Sequence, residues 1–227
     1  IDFSSVIVGT IDGQDFDTDD VTNTAGLLDN TFVVDVQDDI PDIGIMQAEG
    51  ATVVESVEED GMSLATGDLS EGNKETGDTN ADDETGGAAG SLTALFTGDY
   101  DPIGADEPGT APVITVALSS DVSGMDTLYS QGAALTYNVV GDTLTATAHG
   151  DTIFTLTVNP DGSWAFDLND QLDHAEDGDT EGWELIGSTA IGGGIDFSSV
   201  IVGTIAGQDE DTDDVTDTAG LLDNSFV

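Results

Sequence analysis

The chain has 227 residues, 48 of them Asp or Glu and only one, Lys74, basic, for a formal net charge of −47 at pH 7. A surface of that sign repels nucleic-acid phosphates and anionic lipid headgroups, which excludes nucleic acid and direct membrane insertion as modes of action. The chain has no cysteine, so disulfides and thiolate chemistry are excluded, and no apolar run approaches the roughly 20 residues that span a bilayer.

A compact chain with this charge needs either high ionic strength or bound multivalent cations to offset its self-repulsion. Salt adaptation scatters acids over a solvated surface, whereas calcium ligands cluster in loops at defined spacing. This sequence does both, so composition leaves the two readings open. No signal-like segment opens the chain, which predicts an internal stretch of a longer protein.

In chain order the first feature is a repeat. Residues 1–33, IDFSSVIVGTIDGQDFDTDDVTNTAGLLDNTFV, recur at 195–227 with four differences: Asp12/Ala206, Phe16/Glu210, Asn23/Asp217 and Thr31/Ser225. An offset of 194 residues is the size of a large domain, so the chain holds slightly more than one period of a tandem array. Within each copy four carboxylates crowd into six residues: Asp15, Asp17, Asp19 and Asp20, then Asp209, Asp211, Asp213 and Asp214. The window 20–30 has no sustained 3.6-residue period and carries Gly26, so any helix there is short.

TFVVDVQ (31–37) alternates as a strand, and Asp38, Asp39, Pro41 and Asp42 end it, since proline cannot continue a central strand. The boundary falls at Pro41: residues 1–40 are expected to be the tail of one repeat and 41–227 most of the next. Strands are then expected at Thr52–Val57, Ser91–Thr97 (after an acidic, glycine-rich loop at 66–90) and Pro112–Ser119. A meander follows at 134–140, 143–149, 152–158 and 163–168. Its connections are Gly141-Asp142, Gly150-Asp151 and Asn159-Pro160-Asp161-Gly162, all hairpin signals. Leu135, Tyr137, Phe154, Leu156, Trp164 and Phe166 fall on strand-period positions and are the expected core. The fold class is therefore all-β, an antiparallel β-sandwich of immunoglobulin-like type, one module of a tandem array.

Side-chain oxygens at alternate positions of a turn suit a hard cation, because calcium takes six to eight oxygens at about 2.3–2.6 Å. The DxDxD turn is not an EF-hand loop: its sixth position is Asp20 rather than glycine and its twelfth is Gly26 rather than glutamate. A solvated acidic loop is the competing reading. The retention of all four carboxylates in the second copy favours calcium. Asp38, Asp39 and Asp42 at the junction are a second candidate, with Glu58, Glu59 and Asp60 as contributors from the following module. The acids at 99, 101, 106 and 107, and those at 173, 176, 177 and 179, are weaker candidates. His149 and His174 lie apart, and no nucleophile elbow, P-loop or HExxH occurs, so no catalytic residue is expected.

With the repeat, the junction and the acidic turn established, the chain resembles the tandem extender repeats of giant type I secreted RTX-type bacterial adhesins and agglutinins. The resemblance is carried by VEEDGMSL (57–64), SLTALFTGDYDPIGADEPG (91–109), GDTLTATAHGDTIFTLTVNPDGSWAFDLNDQLDH (141–174), IDFSSVIVGT with its DxDxD turn, and FVVDVQDDIP (32–41). It implies an extracellular, cell-surface β-sandwich that calcium rigidifies into a stalk, supporting cell attachment and biofilm formation. It also implies metal roles for Asp15, Asp17 and Asp19, their copies Asp209, Asp211 and Asp213, and the pair Asp38 and Asp39. The expected partners are adjacent repeats of the same chain, or identical chains in a fibre. A calcium-dependent module binding carbohydrate or another surface is the alternative.

Overall fold

The computed structural model describes residues 1–36, 43–57, 59, 86–99, 108–175, 184–209 and 212–227. The chain divides into two compact units, Ile1–Ile40 and Pro41–Val227.

The first unit is a single hairpin with a clasp at its open end. β1 (Val8–Gln14) and β2 (Asp20–Gly26) pair antiparallel from Val8↔Gly26 to Gln14↔Asp20. Ahead of β1 lies a 3-10 turn, Ser4–Val6. The Ser4 hydroxyl oxygen accepts the backbone N–H groups of Thr31 and Phe32, both at 2.9 Å, and the Asp2 carboxylate accepts those of Ser4 and Asn30. These bonds, with Phe3 packed on Phe32 at 5.7 Å, tie residues 2–4 to residues 30–32.

The second unit is all-β, built from antiparallel sheets. Its strands are β3 (Gly44–Gln47), β4 (Gly87–Ser91), β5 (Phe96–Asp99), β6 (Pro108–Leu118), β7 (Tyr129–Ser130), β8 (Ala133–Ala134), β9 (Thr136–Val140), β10 (Thr143–Ala148), β11 (Asp151–Val158), β12 (Ser163–Leu168), β13 (Ile201–Asp209) and β14 (Asp214–Gly220). One sheet runs β4-β12-β11-β10-β9 and another β14-β13-β6, with the pairs β3-β5 and β7-β8 beside them. Among the described residues no helix is long and apolar enough to cross a membrane.

The meander folds where its turn chemistry dictates. Gly141 takes φ +60° and joins β9 to β10 in two residues. The next turn is His149-Gly150, with φ of +54° and +96°, so it sits one residue earlier than expected and Asp151 opens β11. Gly162 closes the third turn at φ +81°, where Asp161 accepts the Ser163 N–H. β10 buries Leu144, Ala146 and Ala148, and β12 buries Trp164, Phe166 and Leu168, both at strand period two. In β11 the register slips so that Ile153 is an extra residue opposite β10, and Ile153 and Phe154 both turn inward.

The two larger sheets share one core. Phe154 and Phe166 pack on Phe197, and Trp164 packs edge-on against Phe226 at 4.9 Å. Phe197 lies just before β13 and Phe226 just after β14, so the aromatic cluster spans the sandwich-like layering. A fully buried side chain such as Phe154 contributes about 1.5–3 kcal/mol. The expected core residues Leu135, Phe154, Leu156, Trp164 and Phe166 are all buried, and Tyr137 is partly so.

Three expected strands differ. Ser91–Thr97 is not one strand: β4 ends at Ser91, a 3-10 turn occupies Thr93–Leu95, and β5 begins at Phe96. That turn buries both Leu92 and Leu95, three apart, which a flat strand cannot do on one face. Thr52–Val57 makes a single parallel bridge, Val53 to Phe226, and in 31–36 Val33 makes a single bridge to Asp2; Gln37 lies outside the described residues. The 20–30 window, which shows no helical period, holds strand β2.

Candidate metal centre

The tip of the β1–β2 hairpin is organised by Asp15. Its Oδ1 accepts the backbone N–H of Asp17 at 3.2 Å and of Asp19 at 2.9 Å, while its own N–H donates to the Asp19 carbonyl. This wraps the chain tightly enough to put Thr18 at φ +77°, a left-handed conformation unusual for a β-branched residue. Thr212, its counterpart in the second copy, sits at φ +83°. Strain of this kind persists only where surrounding bonds hold it.

The wrap gathers three carboxylates. Asp15, Asp17 and Asp19 are exposed, and one oxygen of each lies within 4.8 Å of the others. The Asp15 carboxyl is held below its ordinary range, first by its bond with the Asp17 side chain and then by the Asp19 N–H. Three carboxylates gathered at one turn offer oxygen ligands to a hard cation, with water and carbonyls to complete the shell. These three residues can hold a metal ion.

Asp20 is not part of that cluster. It opens β2 and its Oδ1 accepts the Gln14 side-chain N–H at 2.7 Å, so the carboxylate staples the two strands together below the tip. Asp214 does the same with Gln208 at 3.0 Å. Asp209 ends β13, and Asp213 lies beyond the second turn. Asp211 lies outside the described residues, as do Asp38, Asp39 and Asp42 at the junction.

Other acids have structural duties. Glu59 Oε1 accepts the Leu172 N–H at 2.6 Å and lies 3.3 Å from His174 Nε2; Glu58 and Asp60 lie outside the described residues. Asp173 accepts the N–H groups of Gln131 and Gly132 at 2.8 and 2.7 Å, holding the β7–β8 turn, where Gln131 has φ +50°. His174 therefore pairs with Glu59 rather than with its neighbour Asp173. Asp101, Asp106, Glu107, Glu176, Asp177 and Asp179 lie outside the described residues.

The sequence did not reveal an apolar cavity of about 310 Å³, lined by Trp164, Phe166, Leu168, Leu172, Leu185 and Phe197 among others, with Glu59 and His174 also on its wall. Its walls come from segments more than a hundred residues apart, so no local pattern announces it. Trp164 Nε1 is buried without a hydrogen-bond partner among the described residues, and it faces Gly90, where a Cβ would lie 2.9 Å away. Glycine at 90 thus makes room for the indole.

No protein-family model matches the chain, and neither the curated proteins nor the solved structures contain a match.

Proposed function

We propose that this chain is a non-catalytic structural repeat of an extracellular, cell-surface adhesin, in which calcium held at the hairpin tip stiffens successive β modules into a stalk. The observation that carries the reading is the repeated hairpin: the same paired strands occur twice, 194 residues apart, each copy holds a threonine at positive φ (Thr18, Thr212), and the first copy gathers three carboxylates at its tip. A net charge of −47 supports it, because bound divalent cations offset self-repulsion that would otherwise oppose compaction. The resemblance to RTX-type adhesin repeats supports the class, and an extracellular setting would expose the hairpin tip to calcium at levels that fill modest-affinity sites.

Thermal melts with calcium and with chelator, alongside magnesium and matched sodium controls, test the reading. Calcium is expected to raise the melting temperature well beyond the effect of equal ionic strength. A melting temperature that follows ionic strength alone, unchanged by chelator, replaces calcium with salt adaptation.

A further inference from the structure

The two hairpins have the same internal structure in different settings. Ser198 accepts the N–H groups of Ser225 and Phe226 as Ser4 does those of Thr31 and Phe32. Phe197 packs on Phe226 at 5.5 Å and 43°, against 5.7 Å and 41° for Phe3 on Phe32. β13 pairs with β14 in the register of β1 with β2, shifted by 194. What differs is the other edge of the leading strand. β13 also pairs with β6, from Ile201↔Leu118 through Ile205↔Ile114, and this seats the hairpin in the core.

The consequence is a set of apolar side chains sealed in one copy and open in the other. Val200, Ile205 and Phe226 are 0, 0 and 2% exposed, whereas Val6, Ile11 and Phe32 are 70, 75 and 46% exposed. The apolar inward-facing residues are nonetheless identical between the copies, and of the four differences only those at 217 and 225 fall on the docking face. Ala206 is exposed, and Glu210 lies outside the described residues. Asp217 and Ser225 accept hydrogen bonds from Ile45 and Gln47 of β3, and the residues at those positions in the first copy, Asn23 and Thr31, carry oxygens able to accept them too. Gly203 lies against Phe96, where a Cβ would come within 2.6 Å of the ring; Gly9 keeps the glycine although its nearest atom would be 3.8 Å away.

We infer that residues 1–36 are a docking element for a second copy of this chain: β1 adds to β6 of another molecule in the place β13 occupies, with Thr10 opposite Thr115 and Ile11 opposite Ile114. Because the copy's own hairpin fills that edge, docking proceeds by exchange, and the released 195–227 segment is free to enter a third copy. The bonds broken on release are remade on insertion by the same residue types, so the exchange is close to balanced, and its direction is set by concentration. The inference rests on the hairpin's packing and requires no metal, so it stands or falls separately from the calcium reading.

The test uses the full chain, which has no cysteine of its own. A Thr10→Cys/Thr115→Cys variant is unfolded in guanidinium, refolded over a range of concentrations and oxidised, with refolding followed by near-ultraviolet dichroism. Expected are disulfide-linked dimers and a ladder of higher species, more abundant at higher concentration, joined between positions 10 and 115 of different molecules and abolished by adding Ile11→Asp. Monomers at every concentration, whether their thiols are free or closed within one chain, overturn the proposal, as do dimers that survive Ile11→Asp. If the paired cysteines prevent folding, sedimentation of the wild-type chain and of Ile11→Asp after the same refolding decides. Concentration-dependent oligomers confined to the wild type support exchange, and identical profiles refute it.

Discussion

Gly203 lies flat against the ring of Phe96, so close that a Cβ there would stand 2.6 Å from two ring carbons. The ring is itself buried and cannot swing aside without repacking β5 against β13. Gly203→Ala is therefore expected to destabilise the second unit by about 1–3 kcal/mol through overpacking. Gly9→Ala meets nothing closer than 3.8 Å and is expected to change stability by less than about 0.5 kcal/mol. Denaturant melts of the two variants check the contrast; equal effects would contradict it.

The clasp makes a second prediction. The buried Ser198 hydroxyl oxygen accepts two main-chain N–H groups, from Ser225 and Phe226, and its own proton goes to Asp196. Ser198→Ala leaves the Phe226 N–H without its acceptor and the Ser225 N–H with only the Leu222 carbonyl at 3.2 Å, a loss of about 1–3 kcal/mol. Ser198→Thr restores the oxygen and is expected to recover part of that loss in the same thermal melt.

Asp217 provides a pH signature. The Ile45 N–H, followed by that of Thr218, holds its carboxyl below the ordinary value of 3.8. A depressed pKa in the folded state contributes stability that is complete above the unfolded value and is lost as pH falls through the folded one. The stability difference between wild type and Asp217→Asn is thus expected to be constant well above the ordinary value of 3.8 and to shrink as pH falls below it. Guanidinium melts at a series of pH values read this directly, and a difference that grows on acidification would contradict the assignment.

Tyr137 behaves in the opposite sense. Burial is the main cause that pushes its hydroxyl up to about 12, while the O–H donates to the Asp126 carbonyl at 2.9 Å. A raised pKa in a group that loses a proton contributes stability below the unfolded value near 10, and that contribution is lost as pH climbs toward 12. Spectrophotometric titration is expected to show one tyrosine ionising late, and Tyr137→Phe to remove that phase. Retention of the late phase in the variant would assign it elsewhere.

Much of the meander was legible because its signals are local: β-branched alternation, glycines where φ must be positive, and aromatics at every second residue of β12. The hairpins β1–β2 and β13–β14 were not. Their inward positions are Ile201, Gly203, Ile205, Val215, Asp217 and Ala219, a face that reads as polar and weak because its glycine accommodates Phe96 and its aspartate bonds to Ile45. Thr52–Val57 shows the reverse error, since a run rich in valine makes one bridge, with backbone bonds from Val53 and Glu55 alone reaching residues 225–227. At the candidate site, DxDxD spacing was sufficient to bring Asp15, Asp17 and Asp19 together. It could not show that Asp20 and Asp214 face away, because that depends on Gln14 and Gln208 across the hairpin.

Calcium uptake at the hairpin tip is the most direct measure of the proposed stalk function. Titration calorimetry at fixed high sodium, run on the wild-type chain and on an Asp17→Asn/Asp19→Asn/Asp211→Asn/Asp213→Asn variant, isolates it. The account predicts saturable calcium binding in the wild type that raises the melting temperature, and loss of both the tip-site stoichiometry and that stabilisation in the variant. A variant that binds as much calcium and gains as much in melting temperature as the wild type would contradict it.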